Sequence, residues 1–294
     1  MQLIDPMIRF YQAFPISSLL ILGLIGMFLG SFINVVVNRY PIMLKRDWYK
    51  HAANLPKEVP FKDTYPKVYN LAVPHSHCDS CKKRLFFYHN IPLISYLFLQ
   101  GRCAFCQSPI SWRYPVMELL TGCLFLVIFF VFGLTWAACM LSVLTLFLIV
   151  LTMIDMDEML LPDDMTLLLV WLGLLFNLLG GLVPLQDAVI GAMAGYLSLW
   201  SVYWCFKLLT QKEGMGYGDF KLLAALGAWL GWQQLPVIIL LASFIGTLIG
   251  GCMLLIQNKS RTQPIPFGPY LAIAGFMDIF LGQDMINWYF ANWM

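Results

Sequence analysis

Two short segments of the chain carry acidic residues beside stretches that are otherwise apolar. Asp155 opens a cluster of five acids that ends at Asp164, and Asp219 follows three alternating glycines in the segment Gly214-Met-Gly-Tyr-Gly-Asp219. Carboxylates are costly in or near a bilayer, so acids in such places are functional candidates. Two carboxylates that lie close together cannot both ionise easily, so they share one proton. One can then act as a base on water while the other polarises a peptide carbonyl, which is the chemistry of an aspartic protease.

The alternative is that these acids are solvated loop charges. On the residues alone this stays open for Asp155 and Asp219, and it is the interpretation we prefer for the other four acids of the cluster. Gly216 and Gly218 would allow a peptide backbone to approach Asp219 closely. Asp278 is a further acid in an apolar run, but its predicted depth, roughly 16 Å past the start of the last helix, is wrong for pairing with Asp219.

A second group of residues could bind a metal ion. Four of the eight cysteines form two Cys-x2-Cys pairs separated by 21 residues. Two such turns point four sulfurs at one centre, which predicts a tetrahedral zinc site that is closed and therefore structural. Free thiols, two disulfides, or a histidine from His75 or His77 in place of one sulfur are the alternatives. The predicted ligands are Cys78, Cys81, Cys103 and Cys106.

The composition sets the class of protein that must position these groups. Of the 294 residues, 60% are hydrophobic and only 12% are charged, whereas soluble domains have about 25% charged residues. A soluble fold would therefore expose large apolar patches. We predict an all-α polytopic membrane protein of about eight transmembrane helices, with lipid and not nucleic acid around it. No pattern predicts an oligomeric state.

Uncharged runs predict where the spans lie. The runs at 119–154 and 222–258 are too long for one helix and are broken near Gly133 and at 231–236, so each is interpreted as two helices. The other predicted spans are 16–37, 165–186, 188–206, and a last one from 267 towards 288.

Charge predicts the orientation of these spans. All 18 Lys and Arg except Arg9 fall in loops that share one side, and positive loops face the cytosol. Both termini would then lie outside, and both acidic segments would lie at the cytosolic face. The predicted domains are 1–38, a first transmembrane helix; 39–114, a cytosolic cysteine-rich subdomain called the insert below; and 115–294, a membrane domain of seven helices.

Further motifs follow one another in order along nearly the whole chain. Together with the cysteine pairs they resemble the type IV prepilin leader peptidases, a family of membrane aspartic proteases of the GxGD type that also act as N-methyltransferases. The motifs are Gly30-Ser-Phe-Ile-Asn34, Arg39-Tyr-Pro41, Asn90-Ile-Pro-Leu-Ile-Ser95, Gly101-Arg-Cys103, Arg113-Tyr-Pro115 with Glu118, Asp155-Met-Asp157, Leu161-Pro-Asp163, Gly216-Tyr-Gly-Asp219-Phe-Lys221 and Pro266-Phe-Gly-Pro269.

The resemblance implies a function and places residues in it. Asp155 and Asp219 would be catalytic, with Gly216, Gly218 and Lys221 as supporting residues. The enzyme would cut the basic leader of type IV prepilins and type II secretion pseudopilins after a glycine, then methylate the new N-terminal residue with S-adenosylmethionine. It would lie in a bacterial inner membrane with a cytosolic active site and periplasmic termini. The glycines before Asp219 are assigned to the peptidase, and no residues are assigned to S-adenosylmethionine.

Two other functions are compatible with parts of the pattern. A transporter could use Asp155 and Asp219 for proton coupling, but it would favour acids near the membrane midplane and a pseudo-repeat, and neither is found. A zinc-ribbon scaffold could recruit partners without catalysing a reaction. Substituting each aspartate separately distinguishes these functions.

Overall fold

The structure is a computed structural model that describes residues 11–51, 66, 68–78, 80–212, 214–257 and 266–293. Within these ranges it contains helices and two isolated β-bridges but no strand. Five helices are long and apolar enough to cross a membrane, which confirms a helical membrane protein. The first ten residues and Met294, on which the predicted placement of the termini depends, lie outside these ranges. The chain divides into two compact units, Met1–Ser142 and Val143–Met294.

The first unit contains a long helix, the insert and a second apolar helix. Helix α1 is Pro15–His51, the single-turn helix α2 is Ile94–Phe98, and α3 is Arg113–Phe132. Helix α4, Trp136–Glu158, begins in this unit and continues into the next. Helix α1 has 37 residues, more than the roughly 20 that a span needs, and it continues to His51, past the predicted span 16–37 and the predicted domain boundary at residue 38.

The second unit is built around one buried helix. Helix α7 contacts α5, α6 and α9, and nearly all of its residues from Asp219 to Leu230 are buried. A 14-residue helix enclosed in this way can hold its N-terminal side chains in fixed positions. The helices are α5 Asp163–Leu178, α6 Leu185–Thr210, α7 Tyr217–Leu230, α8 Leu235–Gln257 and α9 Gly268–Trp293.

Glycines end two helices where the sequence predicted breaks. Gly133 follows α3 with φ of 63° and Gly231 follows α7 with φ of 89°. Side chains other than hydrogen are strained at such angles, so glycine is the usual residue at these helix ends. Both predicted breaks are confirmed.

The predicted boundary between the spans 165–186 and 188–206 is wrong. The first of these helices already ends at Leu178 and the next begins at Leu185. Gly180, with φ of 84°, and Pro184, directly before the second helix, form the turn. The prediction placed the boundary at the charge of Asp187, which instead lies in the first helical turn. Local backbone preference, not charge, decides where this turn lies.

Helices α6 and α7 approach each other closely at glycine positions. Gly191 and Gly227 face each other so closely that a Cβ on either would overlap the backbone of the other. A Cβ on Gly195 would lie 2.6 Å from the carbonyl oxygen of Leu223 and 3.0 Å from the Cα of Ala224. These neighbours are backbone atoms and cannot rotate away, so the small residues set the spacing of the two helices.

This packing predicts that Gly195→Ala destabilises the second unit. We expect the free energy of unfolding to fall by about 1–3 kcal/mol, because the helices must move apart. Gly251→Ala in α8 is the matched control, since a Cβ there meets no described atom within 4 Å. Thermal unfolding in detergent should show a lower midpoint for the first variant only. Equal midpoints for the two variants would contradict the packing argument.

Candidate active site and metal centre

Asp155 lies in the last turn of α4 and is buried. Only 5% of the residue is exposed, and its Oδ2 accepts a hydrogen bond of 3.1 Å from the N–H of Gly268. Gly268 is the first residue of α9, where backbone N–H groups have no partner within the helix and the helix dipole favours an anion. The start of α9 therefore holds one oxygen of Asp155 in place.

Asp219 lies in the first turn of α7 and is equally buried, at 6% exposed. Its N–H donates to the carbonyl of Gly216, the residue that precedes the helix with extended backbone. Its Oδ1 is buried and has no hydrogen-bond partner in the described part of the chain. A buried carboxylate oxygen without a partner is costly, so this atom is suited to bind a proton, a water or a substrate group.

The two carboxylates converge at one end of the second unit. The carboxylate of Asp155 is close enough for its charge to act on Asp219. Leu161 is buried and is approached by Gly218, next to Asp219, and by Gly268, the partner of Asp155: a Cβ on Gly218 would lie 2.6 Å from its Cβ, and one on Gly268 would lie 3.1 Å from its Cδ1. Like charges at such a site favour a shared proton, as the two-element argument from the sequence requires.

The supporting residues of the second acidic segment have separable roles. Lys221 forms an ion pair of 2.5 Å with Asp163, which joins the N-terminal turns of α7 and α5. Leu161 packs against Gly218 in the space that a Cβ would otherwise fill. A Cβ on Gly216, in contrast, would make only an ordinary van der Waals contact, 3.7 Å from Oδ2 of Asp219. Gly218 is therefore explained by packing within the protein, and Gly216 is the glycine that a substrate could approach.

The remaining acids do not join the pair. Asp157, Glu158, Asp163 and Asp164 are exposed. Asp278 is buried, and its carboxylate and the side-chain oxygen of Gln234 both lie close to Gly282. It lies ten residues along α9 from Gly268, about 15 Å at 1.5 Å per residue. Asp155 and Asp219 lie in a last and a first helical turn, which favours chemistry at a membrane face over a proton path at mid-membrane.

Gly268 is the site residue that sequence reasoning did not single out. The signal was its place between two prolines in Pro266-Phe-Gly-Pro269, a pattern typical of a helix start. Its contact with Asp155 comes from residues more than a hundred positions apart and is visible only in the tertiary structure.

The geometry predicts that Gly268→Ala impairs the site without unfolding the protein. A Cβ at this position would lie 2.5 Å from Oδ2 of Asp155, so the carboxylate must move. We expect the rate of peptide cleavage, the reaction predicted for Asp155 from the sequence, to fall by about 100-fold, because misplacing a reacting group by about 1 Å has this effect. The assay is peptide cleavage in membranes, with Gly251→Ala as control. Unchanged cleavage by the Gly268 variant would contradict the role of this contact.

The four predicted cysteine ligands converge in the first unit. Their sulfur atoms all lie within 4.8 Å of one another, and Cys78 and Cys106 are 3.8 Å apart. A tetrahedral zinc site with bonds of about 2.3 Å has sulfur–sulfur edges of about 3.8 Å. None of the eight cysteines forms a disulfide, and His75 and His77 are not in the cluster, which leaves the four sulfurs as the donor set.

The two cysteine pairs adopt the same backbone turn. In each turn the fifth residue donates its N–H to the carbonyl of the first cysteine, and that cysteine donates its N–H to the carbonyl of the sixth residue. The fifth residue has positive φ in both, 56° and 59°, and a β-bridge closes each turn. In the first turn, Lys82 and Lys83 are the fifth and sixth residues counted from Cys78, and the bridge joins His77 and Arg84. In the second turn, Gln107 and Ser108 are the fifth and sixth residues counted from Cys103, and the bridge joins Arg102 and Pro109.

At two of the four cysteines, Cys78 and Cys106, neighbouring donors favour the thiolate form that a metal requires. The backbone N–H of Cys81 and the hydroxyl of Ser108 lower the pKa of the Cys78 thiol to about 6. The hydroxyl of Ser108, 3.2 Å from the sulfur of Cys106, also lowers the pKa of that thiol. Four thiolates around one centre fit Zn²⁺, and they leave no open coordination position for a substrate.

Two family models match the chain, one in each compact unit. The Bacterial Peptidase A24 N-terminal domain matches residues 24–132, and the Type IV leader peptidase family matches residues 142–251. The cysteine cluster falls in the first match. Asp155 and Asp219 fall in the second.

Proteins named prepilin leader peptidase/N-methyltransferase are similar over nearly the whole chain. The Aeromonas hydrophila protein is 54% identical over 274 residues, which cover 92% of this chain and 93% of the relative. The Pseudomonas aeruginosa protein is 46% identical, with 97% of each chain covered, and the Neisseria gonorrhoeae protein is 46% identical, with 96% of this chain and 94% of the relative covered. No solved structure matches the chain. The identity and coverage of these matches place the chain in the type IV leader peptidase family.

Proposed function

We propose that this protein is a membrane aspartic endopeptidase that removes the basic leader of type IV prepilins and type II secretion pseudopilins by cutting after a glycine. The observation that carries the proposal is the convergence of two buried carboxylates, Asp155 and Asp219, from the ends of α4 and α7. Membership of the family and the names of the relatives support the substrate class.

In the proposed mechanism the two acids share one proton. Asp155, whose Oδ2 already accepts the Gly268 N–H, takes a proton from water as the water oxygen attacks the scissile carbonyl carbon. Asp219 carries the shared proton on its unpartnered Oδ1 and donates it to the carbonyl oxygen. As the tetrahedral intermediate collapses, the C–N bond breaks and the leaving nitrogen takes the proton held by Asp155. The carbonyl re-forms as the proton returns to Asp219.

The proposed topology brings the substrate to this pair. Eight described helices have 14 or more residues, and we assign each of them, α1 and α3 to α9, to one span. Both termini then face the periplasm of a bacterial inner membrane, and Asp155 and Asp219 face the cytosol. A prepilin leaves its basic leader in the cytosol and its apolar helix in the membrane. The exposed acids from Asp157 to Asp164 would attract that leader.

The other predicted features are assigned to the first part of the chain. We assign a structural Zn²⁺ ion to Cys78, Cys81, Cys103 and Cys106. We also propose that the chain has three functional parts, residues 1–38, 39–114 and 115–294. The second reaction proposed is methylation of the new N-terminal amine, for which S-adenosylmethionine would supply the methyl group. The names of the relatives support this activity, and we associate it with the insert.

Reconstituted protein tests the proposal. Purified protein in lipid vesicles is mixed with a prepilin and labelled S-adenosylmethionine, and mass spectrometry follows the prepilin. We expect loss of the leader up to the glycine and a mass gain of one methyl group on the product. Proton or ion flux that depends on both aspartates, without cleavage, would support the transporter function instead.

A further inference from the structure

The insert contains an apolar segment, residues 85–99, to which the proposed reactions give no role. The segment has no Asp, Glu, Lys or Arg, and it is bounded by Lys82, Lys83 and Arg84 on one side and by Arg102 on the other. It is shorter than the roughly 20 residues that a spanning helix needs. An apolar segment of this length is normally either buried in a protein core or placed at a membrane interface.

Several of its large apolar side chains are exposed in the part of the chain that the structure describes. Phe87 and Phe98 are 85% and 84% exposed, and Leu97 is 72% exposed. Trp112, which directly precedes α3, is 71% exposed. Large exposed apolar side chains grouped in one short stretch of chain indicate a site of association, because in water they would favour aggregation.

Part of the segment's backbone is hydrogen-bonded within the segment itself. It forms a 3₁₀ turn, Phe87–Asn90, followed by α2, Ile94–Phe98. The hydroxyl of Ser95 donates to the carbonyl of Tyr88 and accepts the N–H of Ile91. The Ser95 hydroxyl thus satisfies two backbone groups from within the segment, which lowers the cost of placing them in an apolar environment.

A hydrogen bond fixes the depth of the segment. The N–H of Leu93 donates to Oε2 of Glu118 at 2.9 Å, and this contact lies at the middle of the segment. Glu118 is five residues into α3, a helix apolar enough to cross the membrane that begins at Arg113. At 1.5 Å per residue, Glu118 lies about 7 Å past the start of that helix. The segment is therefore held at the membrane boundary and not out in water.

We propose that segment 85–99 is a membrane-interface element that lies in the headgroup–acyl boundary of the lipid leaflet at the Arg113 end of α3. Its depth agrees with the insertion depth of monotopic elements, which is about 5–10 Å. Trp112 and the exposed Phe side chains contact the lipid, as aromatic residues do at membrane interfaces. Lys82, Lys83, Arg84 and Arg102 complement anionic headgroups on the water side. The described part of the insert is thereby held at the membrane surface.

Fluorescence quenching in the full-length protein tests this placement. An environment-sensitive fluorescent amino acid is placed singly at Phe98 and at Phe87, and the protein is reconstituted in vesicles of phosphatidylethanolamine and phosphatidylglycerol. Two quenchers are compared, a lipid brominated in its acyl chain and aqueous iodide. Phe130 in α3, 76% exposed, is the lipid-facing control, and Lys50 in the last turn of α1 is the water-facing control.

We expect the fluorescence quenching by brominated lipid at Phe98 and at Phe87 to be at least about half of that at Phe130. We expect iodide to quench the probes at Phe98 and Phe87 far less than the probe at Lys50. Quenching by iodide at both positions, without quenching by brominated lipid, would overturn the proposal. So would quenching by iodide that disappears only when a prepilin is added, because the surface would then bind substrate and not lipid. The result does not depend on whether the aspartates are catalytic.

Discussion

Replacing Asp155 or Asp219 by asparagine is expected to lower the rate of prepilin cleavage by about 10²- to 10⁴-fold. Asparagine has the shape of aspartate but cannot take or give the shared proton. Because the two acids act as one unit, the double variant should be little worse than either single variant. Prepilin processing in membranes, followed over time, measures all three rates.

A matched control is available in the same unit. Asp278 is 4% exposed, as buried as the proposed pair, but it lies ten residues further along α9 than Gly268, which contacts Asp155. Asp278→Asn therefore removes a buried acid without touching the pair, and we expect cleavage to continue. Full processing by Asp155→Asn or by Asp219→Asn would eliminate the aspartyl mechanism. Loss of processing in all three variants would indicate a general effect of removing buried charge.

The second large effect concerns the metal. In Cys103→Ser, we expect the zinc content of the purified protein to fall from about one ion per chain to nearly none, since a closed four-thiolate site loses a ligand. Structural zinc contributes about 10–16 kcal/mol of binding free energy in small domains, so the fold of the insert should depend on it. Metal analysis measures the loss, and limited proteolysis should show faster cleavage within residues 66–112.

A cysteine outside the cluster provides the comparison. Cys205 lies singly in α6 and is exposed, so Cys205→Ser should keep the metal and the protease resistance of the parent protein. Unchanged metal content in Cys103→Ser would reject the zinc site. Equal loss from both variants would show that handling of the protein, and not the ligand set, removes the ion.

The features that follow from neighbouring residues were predictable. Each Cys-x2-Cys turn is formed by hydrogen bonds within six residues, so its spacing alone indicates the geometry that the structure contains. The helix breaks at Gly133 and Gly231 are likewise local, because they depend on one residue's access to positive φ. The membrane class followed from composition, since lipid is the only medium in which so apolar a chain is stable.

By itself, then, the sequence determined the helical membrane class, and it named four cysteines as candidate metal ligands and, through the family resemblance, two aspartates as candidate catalytic residues. Only the tertiary structure decided that α9 supplies the Gly268 N–H to Asp155, that Leu161 fills the space left by Gly218, and that Phe87, Leu97 and Phe98 of segment 85–99 are exposed. The physical reason is range: turns and ligand pairs depend on a few adjacent dihedral angles, whereas the surroundings of a carboxylate depend on how distant helices pack.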